Sequence, residues 1–384
     1  MNPMEQGVGP AMPEAVCQVP AHTARGSLED GLRAVLRALH TCGRLALLVA
    51  CVLVVLGLSP LLLILGACAR RLPPPVRGGT RLALLYGTYL LTCEVSAVLN
   101  DIGFHASRRR TPLSQSEHHA LCLNLVRRST GLFFGPGLRA IGVRVHWPEP
   151  PLLDPERPVV VLLRHAGLLN MQLGIHLATG VLRRRPYGVC KSAAACLPGA
   201  AALLRLTSVM PLRWNAEGRA RAAREFAAMG PRLGRDAAVI LPEGTNFSTR
   251  RRWARIAYLR RSGRHDLATA AEAMPHVLPP LARGAGALLA TAPDAQVLVV
   301  GHTGLEDVLP WRLGPGYSSY DETALHISWR SFAPEEVPRD PDGFETWLYE
   351  RWRELDAWVL ATRTGRVGRV GRTDRVDWDD PPRR

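Results

Sequence analysis

The sequence predicts an α/β fold, a largely parallel sheet flanked by helices, preceded by an N-terminal hydrophobic helical hairpin. Three observations carry that prediction. Between Pro158 and Leu360 short apolar runs alternate with segments of helical period, the pattern of strands joined by helical crossovers. From Leu45 to Ala69 the chain runs 25 residues without a charge, more than the ~20 that a helix needs to cross a bilayer. Polar residues also gather just behind apolar runs, where the strands of such a sheet end and ligands are met.

Taken in chain order, residues 1–27 are rich in Pro, Gly and Met without a period and predict an unstructured tail. Residues 28–105 are expected to form the membrane-associated hairpin. The uncharged run starts too far in, and is too long, for the apolar region of a signal peptide. Pro60 interrupts its helical ladder, and a second apolar stretch, Leu82 to Leu99, follows with Glu94 inside it. Arg33, Arg37 and Arg44 before the run are matched by Arg70, Arg71, Arg77 and Arg81 after it, so the positive-inside rule gives no orientation. A bent or re-entrant hairpin with both basic ends on the cytoplasmic face of the cell membrane fits better than a clean span.

Residues 106–362 are expected to form the α/β domain. Strands are predicted at Val159–Leu163, Gly188–Cys190, Ser208–Leu212, Ala237–Leu241, Gln296–Gly301 and Leu325–Trp329, and helices at Leu168–Thr179, Gly199–Leu206, Ala216–Ala228, Gly284–Thr291 and Gly343–Ala361. Residues 363–384 read as an Arg-rich, low-complexity tail.

The balance of 48 Lys+Arg against 33 Asp+Glu gives a net charge of +15, which favours an anionic partner. The basic tail lacks interleaved aromatics and any recognisable module, so lipid head groups fit better than nucleic acid, and no specific nucleic acid is expected. Nearly all the positive charge is arginine, and the only lysine is Lys191. High Arg and Ala with almost no Lys looks like GC-rich coding and points to a bacterium. The eight cysteines form neither a C-x-x-C pair nor a Cys/His cluster of metal spacing; neither a metal site nor a disulfide framework is expected.

In "VVVLLRHAGLLNMQLG" His165 stands at the carboxyl end of an apolar run, with Asn170 five residues on. By itself such a histidine is either a structural cap or a base exposed to a cleft. In "VILPEGTNFSTRRRWARIAYLRR", Glu243, Gly244 and Thr245 could line a polar pocket and Arg250, Arg251 and Arg252 could hold phosphate. The bland reading is a turn into a solvated basic helix. Arg213 in "VMPLRWNAEG" and Pro279 in "HVLPPLARGAGALL" stand at further strand edges.

The order of these blocks, His-x4-Asn, then Lys191 with a Pro-Gly, then Arg213, then Pro-Glu-Gly-Thr, then "LPPLARG", resembles the glycerolipid acyltransferase family, the 1-acylglycerol-3-phosphate and lysophospholipid acyltransferases. The resemblance covers about Arg127 to Leu360 and looks closest to the lysocardiolipin acyltransferase-like branch. It implies a membrane-bound acyltransferase of class EC 2.3.1 in phospholipid biosynthesis, moving a fatty acyl group from acyl-CoA or acyl carrier protein to the hydroxyl of lysophosphatidic acid or another lysophospholipid. His165 would be the general base. Glu243, Gly244 and Thr245, with Arg213, would hold the acceptor, and Lys191 would meet phosphate. Pro279 and the apolar helix after Gly284 would border the acyl chain. No cofactor is needed, because a thioester is already activated.

The chain departs from the family pattern at Leu241, where Phe is usual, at Asn246, where Arg is frequent, and above all at Asn170, where the family has Asp. That carboxylate normally accepts the Nδ1 hydrogen of the histidine and stabilises the imidazolium; the same change in the serine-protease template costs about 10⁴ in kcat. An amide oxygen can accept the hydrogen bond without supplying charge. If the NH₂ faces the ring instead, the wrong nitrogen is left to act. No acidic residue lies between Glu156 and Glu217, and Glu243 is the nearest candidate to substitute. The alternative expectation is therefore a catalytically weakened, lipid-binding homologue.

Overall fold

The computed structural model describes residues 83–110, 113–140, 142–167, 169–213, 215–308 and 324–365, together with 42, 43, 46 and scattered positions from 49 to 64. Seven strands form one sheet: β1 Arg144–His146, β2 Val159–Leu163, β3 Pro186–Lys191, β4 Ser208–Leu212, β5 Ala237–Ile240, β6 Gln296–Thr303 and β7 Ala324–Phe332. Their order is β1-β7-β6-β2-β5-β3-β4, parallel throughout except for the antiparallel β6–β7 pair. The longer α-helices among the described residues are α1 Ser96–Arg110, α2 Gln115–Leu132, α3 Asn170–His176, α4 Pro198–Leu206, α5 Ala216–Met229, α6 Thr249–Arg261, α7 His265–Glu272, α8 Ala282–Thr291 and α9 Pro341–Arg363.

Strand β2 is central, paired with β5 on one side and β6 on the other, and all five of its residues are buried. A continuous Val/Leu run is what a parallel strand covered on both faces requires. Because side chains alternate across a strand, Val160 and Leu162 join one core with Phe226, Leu288 and Trp352, while Val159, Val161 and Leu163 join a second core with Phe133, Leu173 and Leu177. From β2 the chain moves out through β3 and β4, returns at β5, and crosses to β6 and β7. The strand order thus reverses around β2, and a crevice opens at the carboxyl ends of its neighbours.

The expected strands and helices all appear, most with longer ends. Leu168–Thr179 is shorter as an α-helix, since α3 gives way to a π-helical turn at Leu177–Val181. Strand β1 and helices α1, α2, α6 and α7 were not among the predicted elements. β1 has three residues, none of them fully buried, and so carries no apolar run. α2 had a local signal in its capping box, in which Ser114 accepts from the Glu117 N–H at 3.3 Å and the Ser114 N–H donates to the Glu117 carboxylate at 2.9 Å.

The hairpin expected over residues 28–105 needs correction. Residues 83–89 are helical and continue through Leu90–Val95 into α1, with Leu85, Tyr89, Cys93, Ala97 and Phe104 buried against the α/β domain. Glu94 is tolerated there because its carboxylate accepts from the Tyr89 hydroxyl at 2.9 Å and from the Gly199 N–H at the start of α4 at 2.6 Å. Residues 83–98 thus pack as a wall of the domain. In the first apolar run the described positions are helical, and Leu53, Leu61 and Ile64 are exposed. Among the described residues no helix is long and apolar enough to cross a membrane. The predicted tails at 1–27 and 363–384 lie outside the described residues, except that α9 runs to Arg363 and the description ends at Gly365.

Candidate active site

His165 follows β2 and is clamped through its main chain. Its N–H donates to Glu243 Oε1 at 3.0 Å and its carbonyl accepts from the Phe247 N–H at 2.8 Å. Glu243 belongs to the turn after β5, closed by the Gly244 N–H donating to the Leu241 carbonyl at 2.9 Å. Gly244 has φ +66°, which favours glycine. The second oxygen of Glu243 accepts from the Leu278 N–H at 3.1 Å. Glu243 is 0% exposed, and burial raises its carboxyl to about 7 against the opposing pull of Arg164 and its backbone donors. It braces two loops behind the crevice and offers no oxygen to the His165 ring or to an acceptor, contrary to the expectation that it holds the acceptor or substitutes for the missing carboxylate.

Asn170 opens α3 and is 2% exposed. Its Oδ1 accepts from the Ala166 N–H at 3.2 Å and lies 2.9 Å from His302 Nε2. Its Nδ2 donates to the Gly167 carbonyl and to Asn246 Oδ1 at 3.0 Å, and lies 3.2 Å from His165 Nδ1. The amide has no freedom to turn over in this setting, because a main-chain N–H only donates and a carbonyl only accepts. The NH₂ therefore faces the histidine. At that contact His165 Nδ1 can serve only as acceptor, which matches the tautomer with the proton on Nε2, the nitrogen that a base would need bare.

One cavity of about 1800 Å³ is lined by His165, Asn170, Lys191, Gly244, Thr245, Asn246, Arg250 and Arg251. Burial, followed by the charges of Lys191, His302 and Arg251, depresses His165 to about 3. Lys191 is likewise pushed down, by burial and then by Arg251. The cations thus crowd the imidazole and one another, a field that an anion would relieve. Apolar walls come from Leu90, Leu169, Ile175, Val189 and Leu197.

Several expected roles do not match this geometry. Arg213 is exposed and does not line the cavity. Pro279 is buried, with its carbonyl accepting from Arg255 at 2.6 Å, and α8 packs in the opposite core layer; neither borders the cavity, whose apolar wall is the helix leading into α1. Arg252 is buried and donates to the carbonyls of Met274, Ala271 and Glu272, so it closes the end of α7, and of the three arginines only Arg250 and Arg251 line the cavity. The residues not foreseen are Asn246 as a partner of Asn170, and His302 with Glu306. The same signal that marked His165 was present at "VLVVGHTGLED", a polar group directly after an apolar strand.

No family model matches the chain, and no curated protein matches it. Among solved structures it is similar to the 1-acyl-sn-glycerophosphate (LPA) acyltransferase PlsC from Thermotoga maritima, at 14% identity and a TM-score of 0.47 over 74% of this chain and 98% of that one. So remote a likeness leaves fold and function to rest on this chain's own residues.

Proposed function

We propose that the chain is a membrane-bound acyltransferase that moves a fatty acyl group from a thioester, acyl-CoA or acyl carrier protein, to the hydroxyl of lysophosphatidic acid or another lysophospholipid. The observation that supports it most is the meeting of His165, Lys191 and Arg251 in one cavity with a long apolar wall. A phosphate fits the two cations, and an acyl chain fits the wall. The volume exceeds the ~300–1,000 Å³ of ordinary small-molecule pockets, in keeping with two substrates. In the reaction His165 Nε2 takes the hydroxyl proton as the oxygen attacks the thioester carbonyl. The C–O bond forms, the C–S bond breaks, and the imidazolium returns the proton to the departing thiolate. The net charge of +15 and the uncharged run from Leu45 would hold the site at an anionic membrane surface on the cytoplasmic side.

A second reading, a lipid-binding homologue with little turnover, is favoured by one observation, the Asn170 NH₂ pointed at His165 Nδ1. The Nε2-bare tautomer sets two donors against each other at that contact, a penalty of about 1–3 kcal/mol. Full-length protein with labelled acyl-CoA and 1-acylglycerol-3-phosphate is expected to give diacyl product, and His165→Ala to remove it. Retention of the lysolipid without any product, or product indifferent to His165→Ala, would favour the binding-only reading.

A further inference from the structure

Helix α6 has thirteen residues, six of them arginine and none acidic. Three of the arginines are used within the domain: Arg252 donates to carbonyls at the end of α7, Arg255 to the Pro279 carbonyl, and Arg260 pairs with Glu272. The other three, Arg250, Arg251 and Arg261, are exposed and have no acidic partner among the described residues. At 3.6 residues per turn, Arg250, Ala254, Ala257 and Arg261 stack along one line, flanked by Trp253 on one side and by Tyr258 and Arg251 on the other. Trp253 is 53% exposed and Tyr258 62%, while Arg252 and Ile256 of the opposite face are buried. Exposed arginine between two exposed aromatics is the chemistry of a bilayer interface. The rings sit at head-group level with an apolar body and a polar edge, and the guanidinium groups meet phosphate.

The place of this face in the fold points the same way. Arg250, Arg251 and Ala254 line the cavity that holds His165, and so do Ala50 and Val54 of the uncharged run and Leu197, which is itself exposed. Leu281, also exposed, lies against the turn after β5, where a Cβ on Gly244 would stand 3.3 Å from its Cδ1. The apolar run and the basic helix therefore border one cavity, and exposed apolar side chains stand beside both. A polyanion such as nucleic acid would satisfy the arginines and leave Leu197 and Leu281 without a use. A second copy of the chain would bring its own net charge of +15 against them. An anionic lipid surface satisfies both the charge and the apolar side chains.

We propose that the exposed face of α6 is a docking surface for an anionic phospholipid bilayer. Arg250, Arg251 and Arg261 meet lipid phosphates, and Trp253, Tyr258 and Leu281 enter the interface, so that the cavity opens onto the membrane and a lysolipid reaches it from the bilayer. This rests on the lipid-processing reading of the cavity. It goes beyond an anchor in the run from Leu45, because it sets the α/β domain itself against the membrane through a helix on the far side of the sequence.

The test uses full-length protein in phosphatidylcholine nanodiscs with and without phosphatidylglycerol. The share of tryptophan emission that Trp253→Phe removes should be quenched by lipids brominated in their acyl chains, at least about twofold more strongly when phosphatidylglycerol is present. Joint replacement by Trp253→Ser, Tyr258→Ser and Arg261→Glu should lower kcat/KM about tenfold or more for long-chain 1-acylglycerol-3-phosphate in the anionic discs. Transfer to a short-chain, water-soluble analogue should be unchanged, because that acceptor does not come from the bilayer. A Trp253 share quenched by aqueous iodide and not by bromine, or quenched by bromine alike in both discs, overturns the docking surface. Shielding from both quenchers does so too, since protein would then cover the face, as does a loss equal for the two acceptors or absent from both. Quenching as expected without acylation of any acceptor would leave the docking surface standing and overturn the acyl-transfer reading instead.

Discussion

His165 owes its properties to what surrounds it rather than to its own chemistry. Burial and the charges of Lys191, His302 and Arg251 hold it at about 3, so the ring is neutral at every ordinary pH. A cationic neighbourhood disfavours the charged ring, which lowers the pH at which a proton is taken up. The expected consequence is a kcat/KM profile with no acid limb near 6.5, the ordinary histidine value. Such a limb would show that the field in solution is not cationic. A carboxylate introduced by Asn170→Asp has the opposite sign, favours the imidazolium, and should move the limb upward. Asn170 meets the ring at Nδ1 and is itself bonded to Asn246 and His302, whereas Glu243 reaches residue 165 only through its main chain.

At the scale of elements, β2 places the histidine and the turn after β5 fixes it. Leu163, 0% exposed and the last residue of β2, supports that placement from within the second core. Leu163→Ala should cost about 2–5 kcal/mol in chemical denaturation, and a loss below about 1 kcal/mol would mean that the strand end is not packed as described. This part of the molecule was legible from sequence because apolar runs such as "VVVLL" and "VLVVG" bury both faces and leave little choice of structure. The antiparallel placing of β7 was not legible, since its residues alternate in burial and no local signal gives strand direction. Nor was the fate of Leu82 to Leu99. An apolar stretch with one acid reads alike for lipid and for a protein core, and only the partners of Glu94, the Tyr89 hydroxyl and the Gly199 N–H, tell them apart.

At the scale of the whole molecule, strand ends far apart in sequence bring a histidine, two cations and an apolar wall to one crevice. His165, Lys191, Gly244 and Thr245 were legible as strand-end polar residues and do line it. Arg213, Pro279 and Arg252 were equally plausible in sequence and fall elsewhere, because whether an arginine faces a cleft or closes a helix end depends on neighbours that arrive from other segments. His302 stands 132 residues from Asn170, so their contact could only be read in the folded chain. The central claim is that acyl transfer at His165 proceeds under the handicap of an amide at position 170. The direct measurement is steady-state transfer from acyl-CoA to 1-acylglycerol-3-phosphate by Asn170→Asp beside the unaltered protein. A gain in kcat of about 10²-fold or more, lost again with His165→Ala, is the predicted result; an unchanged or lower kcat would contradict the account.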